Sequence, residues 1–270
     1  MNLTFLTKFI RDQSKYDLSG IKNSYIEKQI EQHCKKNGID DYQVFYDFLL
    51  EDSTALAQLV NACLNNATRY FRNPQLFEVM RQQVLPELIV AKSQNQSSLK
   101  IWVAACSTGD EAYSLAITLQ EVLETIPSPI QIEILATDLS AEVVKTAQAG
   151  VAIDNNLIDV NGGLRKKYFN YKDGRYYVKS IIKNYVKFEV HDFLNPKNYS
   201  LSIPQDFDLI ICRNALLYYE TPQQVKAIEY FYKHLTSNGL LVLSEFELMP
   251  IGCTQFFEKT DIANYIFSKK

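Results

Sequence analysis

The sequence predicts an α/β fold in which a doubly wound, mainly parallel sheet follows an all-α domain and carries a small antiparallel β insertion. Three observations predict it. Apolar residues recur every three or four positions within residues 1–92, the spacing of helices that bury one face. From residue 99 short apolar runs alternate with helical stretches, the rhythm of a parallel sheet covered on both sides. Residues 151–184 interrupt that rhythm with a hairpin signal.

In the first region Phe45, Phe48 and Leu49, then Leu56, Leu59, Val60, Cys63 and Leu64, mark helical faces. A further helix starts at Asn73-Pro74, with Asn as N-cap and Pro at the first helical position. It runs through Leu76, Phe77, Met80 and Val84, and Pro86 inside it predicts a kink. The polar run 93–98 reads as a linker between a helical domain over 1–92 and a second domain over 99–270. Strands are expected at 99–105, 130–136, 185–190, 207–212 and 240–244, and helices at 110–123, 141–149 and 221–235, the last closed by Asn238-Gly239. Residues 256–267 supply a closing strand pair. Within 151–184, Asp173-Gly174 between Tyr171 and Tyr176-Tyr177-Val178 predicts a tight hairpin turn.

Composition bounds the function. With 270 residues, 47% hydrophobic and 22% charged, the chain can bury a sizeable core without covalent staples. A net charge of −3 argues against a general nucleic-acid binder. It conceals a segregation: residues 165–187 hold Arg165, Lys166, Lys167, Lys172, Arg175, Lys179, Lys183 and Lys187 against Asp173 alone. That stripe is a candidate docking surface for an acidic partner, with a solvated charged hairpin as the alternative. The five cysteines are odd in number and form no CxxC pair, which fits a reducing compartment, and no metal site is expected. The start Met1-Asn2-Leu3-Thr4 does not read as a signal peptide, and no apolar run approaches a membrane span. A cytoplasmic protein without membrane insertion is expected.

In a doubly wound sheet, ligands sit beyond the carboxyl ends of the strands where the strand order reverses. The loop after the first strand reads Ala104-Ala105-Cys106-Ser107-Thr108-Gly109-Asp110-Glu111. Gly109 permits a tight turn beside a ligand, and Ser107 and Thr108 offer hydroxyls. Asp110 and Glu111 place negative charge where a dinucleotide loop would receive pyrophosphate. Such a pair suits a cation, and S-adenosylmethionine carries an ammonium and a sulfonium; opposition to the helix dipole is the plainer alternative. The second strand leads into Ala136-Thr137-Asp138, where an acid can accept from both ribose hydroxyls or cap the helix that follows. A nicotinamide dehydrogenase is disfavoured by these acids and by the lack of G-x-G-x-x-G.

Further segments carry a resemblance. Asn66-Ala67-Thr68-Arg69-Tyr70-Phe71-Arg72 is similar to N-x-T-x-F-F-R, Cys106–Ser114 to C-S-T-G-E-E-P-Y-S, and Cys212-Arg213-Asn214-Ala215-Leu216-Leu217-Tyr218-Tyr219 to C-R-N-V-L-I-Y-F. With Ala136-Thr137-Asp138 and Leu243-Ser244-Glu245, in order over roughly residues 60–265, the sequence resembles the chemotaxis receptor glutamate O-methyltransferases, the CheR family. The resemblance implies a class I (Rossmann-like) methyltransferase sheet with an N-terminal all-α domain and a β subdomain. It implies S-adenosylmethionine as methyl donor and S-adenosylhomocysteine as product. The acceptors it implies are glutamate carboxylates on cytoplasmic helices of methyl-accepting receptors. Asn66, Thr68, Arg72, Glu111, Asp138, Asp192, Phe193, Arg213 and Asn214 would surround the cofactor, joined by Ser107 and Gly109 of the loop. Arg72 and Tyr218 would stand nearest the transferred methyl, as catalytic residues. For Arg72 a surface salt bridge, and for Tyr218 an aromatic wall, are the alternatives. Asp110 departs from the pattern's Glu, Ala112 from its Pro and Tyr70 from its Phe, and Asp192 stands where some members have Asn. Residues 1–98 hold 11 basic and 11 acidic residues, so no basic excess there points to receptor docking.

A glutamate acceptor is ionised at neutral pH and needs no general base. None of the motifs contains His; His33, His191 and His234 are expected to be surface or structural, with His191 nearest the site. A same-fold methyltransferase for another acceptor and a non-catalytic cofactor-binding signalling module are the rival readings.

Overall fold

Four amphipathic helices open the chain, and three of them start on a short polar side chain that caps the first turn. The structure is a computed structural model and describes residues 1–64, 68–95, 97–199 and 203–270. Asn2 caps α1 (Leu3–Gln13) by accepting from the Phe5 N–H at 3.0 Å. After α2 (Asn23–Lys36), Asp41 and Asp52 cap α3 (Tyr42–Glu51) and α4 (Ser53–Cys63) in the same way. Leu6 and Ile10 of α1, Ile26 and Ile30 of α2, Phe45 and Leu49 of α3 and Leu59 of α4 are all buried. No helix among the described residues is long and apolar enough to cross a membrane.

The chain forms two compact units, Met1–Asn66 with Ala215–Gln224, and Ala67–Asn214 with Val225–Lys270. In the first, the returning segment is tied to the helical residues: Lys22 Nζ donates to the Leu217 carbonyl at 2.8 Å, and Ile21 bridges to Tyr219. The partition differs from a break at 93–98. Helix α5 (Pro74–Val79), the π turn Met80–Val84 and α6 (Leu85–Gln94) belong to the second unit, and Leu76, Met80, Leu85 and Ile89 lie in its core. The motive is burial: these apolar faces pack with the sheet. Pro86, which lacks an N–H and crowds the preceding turn, is accommodated by the widened π turn before it.

The second unit is built on a seven-stranded sheet, β1 (Leu99–Ala104), α7 (Asp110–Thr125), β2 (Ile132–Asp138) and α8 (Ala141–Ala149) coming first. Then comes the insertion, with β3 (Val151–Ala152), α9 (Gly162–Tyr168), β4 (Phe169–Lys172), β5 (Arg175–Val178) and α10 (Ser180–Lys183). The main sheet resumes with β6 (Val186–Val190), β7 (Phe207–Cys212), α11 (Thr221–His234), β8 (Leu235–Val242), β9 (Phe257–Lys259) and β10 (Ile266–Lys269). Strand order is β6-β2-β1-β7-β8-β10-β9; the first five are mutually parallel, and β10 runs antiparallel to both of its neighbours, β8 and β9. The order reverses between β1 and β7, which places the switch point at the loop after β1. Helix α7 is buried along most of its length, as a helix sealing a parallel sheet must be.

The insertion is a separate three-stranded antiparallel sheet, β3-β5-β4. Asp173 and Gly174 both have positive φ, 51° and 74°, the two-residue turn that matches strand twist. Strand β8 starts five residues earlier than expected. Leu235 pairs with Phe207 directly after the helix, and a register shift absorbs the residues before Leu240, with Asn238 at φ 77°.

Candidate active site

The loop after β1 folds by three left-handed residues within five: Ala105 at φ 55°, Ser107 at 50° and Gly109 at 87°. Gly109 is required twice over. Its φ is unfavourable for any side chain, and a Cβ there would lie 2.9 Å from both the Ala147 Cβ and the Phe188 ring. The contorted loop is held by Asp138 at the end of β2, whose Oδ2 accepts the Ser107 N–H at 2.9 Å while Oδ1 accepts that of Ser140 at 3.0 Å. Beneath it, the Trp102 indole donates to Thr137 Oγ1 at 2.9 Å and locks β1 to β2. Asp138 is buried, and burial raises its pKa despite the N–H groups of Ser140, Ser107 and Leu139 that favour its charge.

The two acids at the start of α7 part ways. Asp110 is buried and turns toward the insertion, accepting from Asn156 Nδ2 at 3.2 Å and Thr108 Oγ1 at 3.4 Å; burial raises its pKa to about 6. Glu111 pairs instead with Arg213, which follows β7 and is buried. Arg213 also reaches the Arg72 carbonyl at 3.4 Å and Glu245 at 3.7 Å. Burial opposes its charge, but Glu111, then Glu245 and Glu247, keep its pKa above the ordinary value. Carboxylates outnumber the buried guanidinium here, so the site favours a cation. Asn214, at φ 54°, gives its N–H to Glu247 Oε2 at 3.1 Å.

Ser107, Gly109, Glu111, Asp138, Arg213, Asn214 and the Arg72 backbone are therefore brought together through direct bonds or chain adjacency. Asp192, just beyond β6, uses its carboxylate to shape its own loop, accepting from the Leu194 N–H at 2.8 Å and Asn195 Nδ2 at 3.0 Å. Phe193 is buried against Phe231. Thr68 is half-buried beside Arg69, which pairs with Asp159. Asn66 lies outside the described residues. Tyr218 belongs to the first unit, where its ring lies 4.4 Å from that of Tyr25. His191 is buried beside Tyr230, and burial lowers its pKa to about 4, so it is neutral at pH 7.

Two contributors escaped the sequence reading. Asn156, in the insertion, bonds Asp110 and accepts the Tyr70 N–H at 3.0 Å on its carbonyl. Nothing in its local sequence marks it. Glu247 follows a turn at residues 245–246, so strand alternation does not name its partners, the N–H groups of Asn214 and Ser244.

The reversed strand order, the acid-rich loop at the switch point and the buried Asp138 define a Rossmann-like methyltransferase that takes S-adenosylmethionine, a nucleoside bearing positive charge. Comparison with known proteins agrees. The family model described as "CheR methyltransferase, SAM binding domain" matches residues 66–266, and "CheR methyltransferase, all-alpha domain" matches residues 1–64. The chain belongs to the CheR methyltransferase family, the S-adenosylmethionine-dependent methyltransferases of chemotaxis. It is 30% identical over 251 residues to the chemotaxis protein methyltransferase of Borreliella burgdorferi, covering 91% of this chain and 87% of that one. Against chemotaxis protein methyltransferase 1 of Vibrio cholerae it is 34% identical over 205 residues, 74% of this chain and 70% of the relative. Among solved structures, a CurJ carbon methyltransferase aligns over 94% of this chain and 54% of its own, with a TM-score of 0.39 and 15% identity, a likeness that adds no weight.

Proposed function

We propose that the protein transfers the methyl group to glutamate side-chain carboxylates of methyl-accepting chemotaxis receptors. The observation that carries this reading is the state of the titratable groups around the cofactor loop. Asp138 is occupied with backbone N–H groups, Glu111 with Arg213, Asp110 with Asn156, and His191 is a buried neutral ring. None of these is poised to take a proton from an amine or hydroxyl acceptor. A carboxylate brings its own negative charge and needs no base.

The residues present fit the methyl donor through their excess of carboxylates. Asp138 would hold the ribose hydroxyls, and Glu111 with Ser107 and Gly109 would line the charged end, beside Arg213, Asn214, Asp192, Phe193, Thr68 and Asn66. When bound, S-adenosylmethionine supplies a sulfonium methyl whose carbon bonds to the acceptor oxygen as the carbon–sulfur bond breaks, giving an ester and a thioether with no proton moved. Because opposite charges annihilate in that step, the protein's part is alignment and exclusion of water. Arg72 would hold the acceptor carboxylate by charge-assisted bonds, and the Tyr218 hydroxyl would orient it.

The test uses radiolabelled methyl donor and cytoplasmic receptor fragments. Incorporation that base releases as methanol is expected, since esters are base-labile; base-stable label, or none, overturns the carboxylate reading. Arg72→Ala should lower turnover on the same fragments about 100-fold while cofactor affinity changes only a few-fold. Equal losses in both would remove Arg72 from the acceptor's side. Docking of the receptor through the basic insertion is part of the proposal.

A further inference from the structure

Two N–H groups beyond the sheet converge on one carboxylate. Strands β7 and β8 are parallel neighbours that end at Cys212 and Val242. Beyond those ends β7 and β8 no longer pair with each other, and Asn214 adopts the left-handed region. One oxygen of Glu247 bonds the backbone just past both strand ends. It accepts the Ser244 N–H at 2.9 Å and the Asn214 N–H at 3.1 Å, and the Glu247 N–H returns to the Ser244 carbonyl at 3.0 Å. The segment around it inverts the usual order of burial. Phe246 and Leu248 are 75% and 85% exposed, whereas Glu247 between them is 6% exposed. Apolar burial alone would turn this segment the other way, so the acid is inside for the bonds it makes. Its charge also supports Arg213, the residue before Asn214.

We propose that Glu247 is a positioning residue for the methyl-transfer site: its carboxylate clamps the corner after β7 to the corner after β8 and holds Arg213 and Asn214 in the form that receives the methyl donor. The inference rests on the reading above that Arg213 and Asn214 face the cofactor. Glu247 acts through them.

Two variants of the full chain separate the bonds from the volume. Glu247→Gln keeps an oxygen that accepts both N–H groups, whereas Glu247→Met fills similar space and accepts neither. Calorimetric titration with S-adenosylhomocysteine, at a temperature where circular dichroism shows both folded, should find the Gln variant within about 3-fold of wild type and the Met variant at least about 10-fold weaker. A folded Met variant that binds like wild type overturns the proposal, as does a Gln variant that falls as far as Met. Asn214→Ala is titrated alongside. If it binds like wild type, the reading of the site fails; if it weakens while Glu247→Met does not, only the role of Glu247 fails. Should the Met variant not fold, amide exchange in the wild-type protein decides: the Asn214 and Ser244 N–H groups should be protected in the free protein, and rapid exchange at both rejects the clamp.

Discussion

At the scale of single residues, the acids that mark the cofactor loop differ in what their charge costs. Asp110 is buried with no cation paired to it among the described residues, and its pKa rises from 3.8 to about 6, which corresponds to roughly 3 kcal/mol against the charged form. In the folded chain that penalty is fully present above pH 6. It fades as pH falls through 6, because the folded form takes up a proton before the unfolded form does, and it is gone below 3.8. His191 works in the opposite sense. Its folded pKa of about 4 lies below 6.5, so stability is lost as pH falls from 6.5 and the loss is complete below 4. Between pH 4 and 6 the two groups offset each other. Asp110→Asn keeps an oxygen for Asn156 and removes the charge. It should stabilise the protein by about 1–3 kcal/mol at pH 7.5, with the gain shrinking toward pH 5 and the loss through His191 left uncompensated. Urea unfolding at several pH values measures this; a gain independent of pH would assign the effect to something other than the buried charge.

At the scale of elements, the unit that matters is the strand–loop–helix run from β1 to α7. Gly109 to Ala adds a side chain at φ 87° and 2.9 Å from Ala147 and Phe188, a contact that neither backbone nor ring can easily yield. The expected cost is about 2–4 kcal/mol in stability, with cofactor affinity falling as well. A folded Gly109→Ala protein with unchanged denaturation midpoint would show that the loop can relax. Much of this run was legible beforehand. The start of β1 at Leu99, the start of α7 at Asp110 and the whole of α8 follow from local signals: an apolar run, a glycine, two acids, a serine before a helix. What was not legible is non-local. The membership of α5 and α6 is decided by which core buries Leu85 and Ile89, and the early start of β8 by its pairing with Phe207. The separate fates of Asp110 and Glu111 depend on Asn156 and Arg213, 46 and 102 residues away. Helical spacing places two consecutive acids on different faces but does not name their partners.

At the scale of the whole molecule, the segregated charge is the feature that a net charge of −3 conceals, and the structure divides it. Much of the basic segment is spent internally. Lys167 pairs with Glu121 and Glu124 at 2.7 and 2.6 Å, and Lys187 pairs with Glu189 at 2.9 Å. Lys179 and Lys183 donate to backbone carbonyls, and Arg165 does the same within its own subdomain. The hairpin tip is different. Lys172 and Arg175 are exposed and directly opposite in register across the Asp173-Gly174 turn. Like charges in that arrangement destabilise a hairpin, so an anionic partner would relieve a repulsion as well as gain an attraction. Residues 1–98, with 11 bases and 11 acids, offer no comparable excess. Replacing Lys166, Lys172 and Arg175 by Glu spares every ion pair just described. The triple variant should bind an acidic receptor fragment at least about 10-fold more weakly in low salt, and the difference should narrow as salt shortens the screening length from about 10 Å at 0.1 M. Affinity for S-adenosylhomocysteine should stay within about 2-fold, because the cofactor loop and Asp138 keep all their bonds. Receptor affinity unchanged at low salt would remove the insertion from docking and leave its exposed cations as a solvated surface.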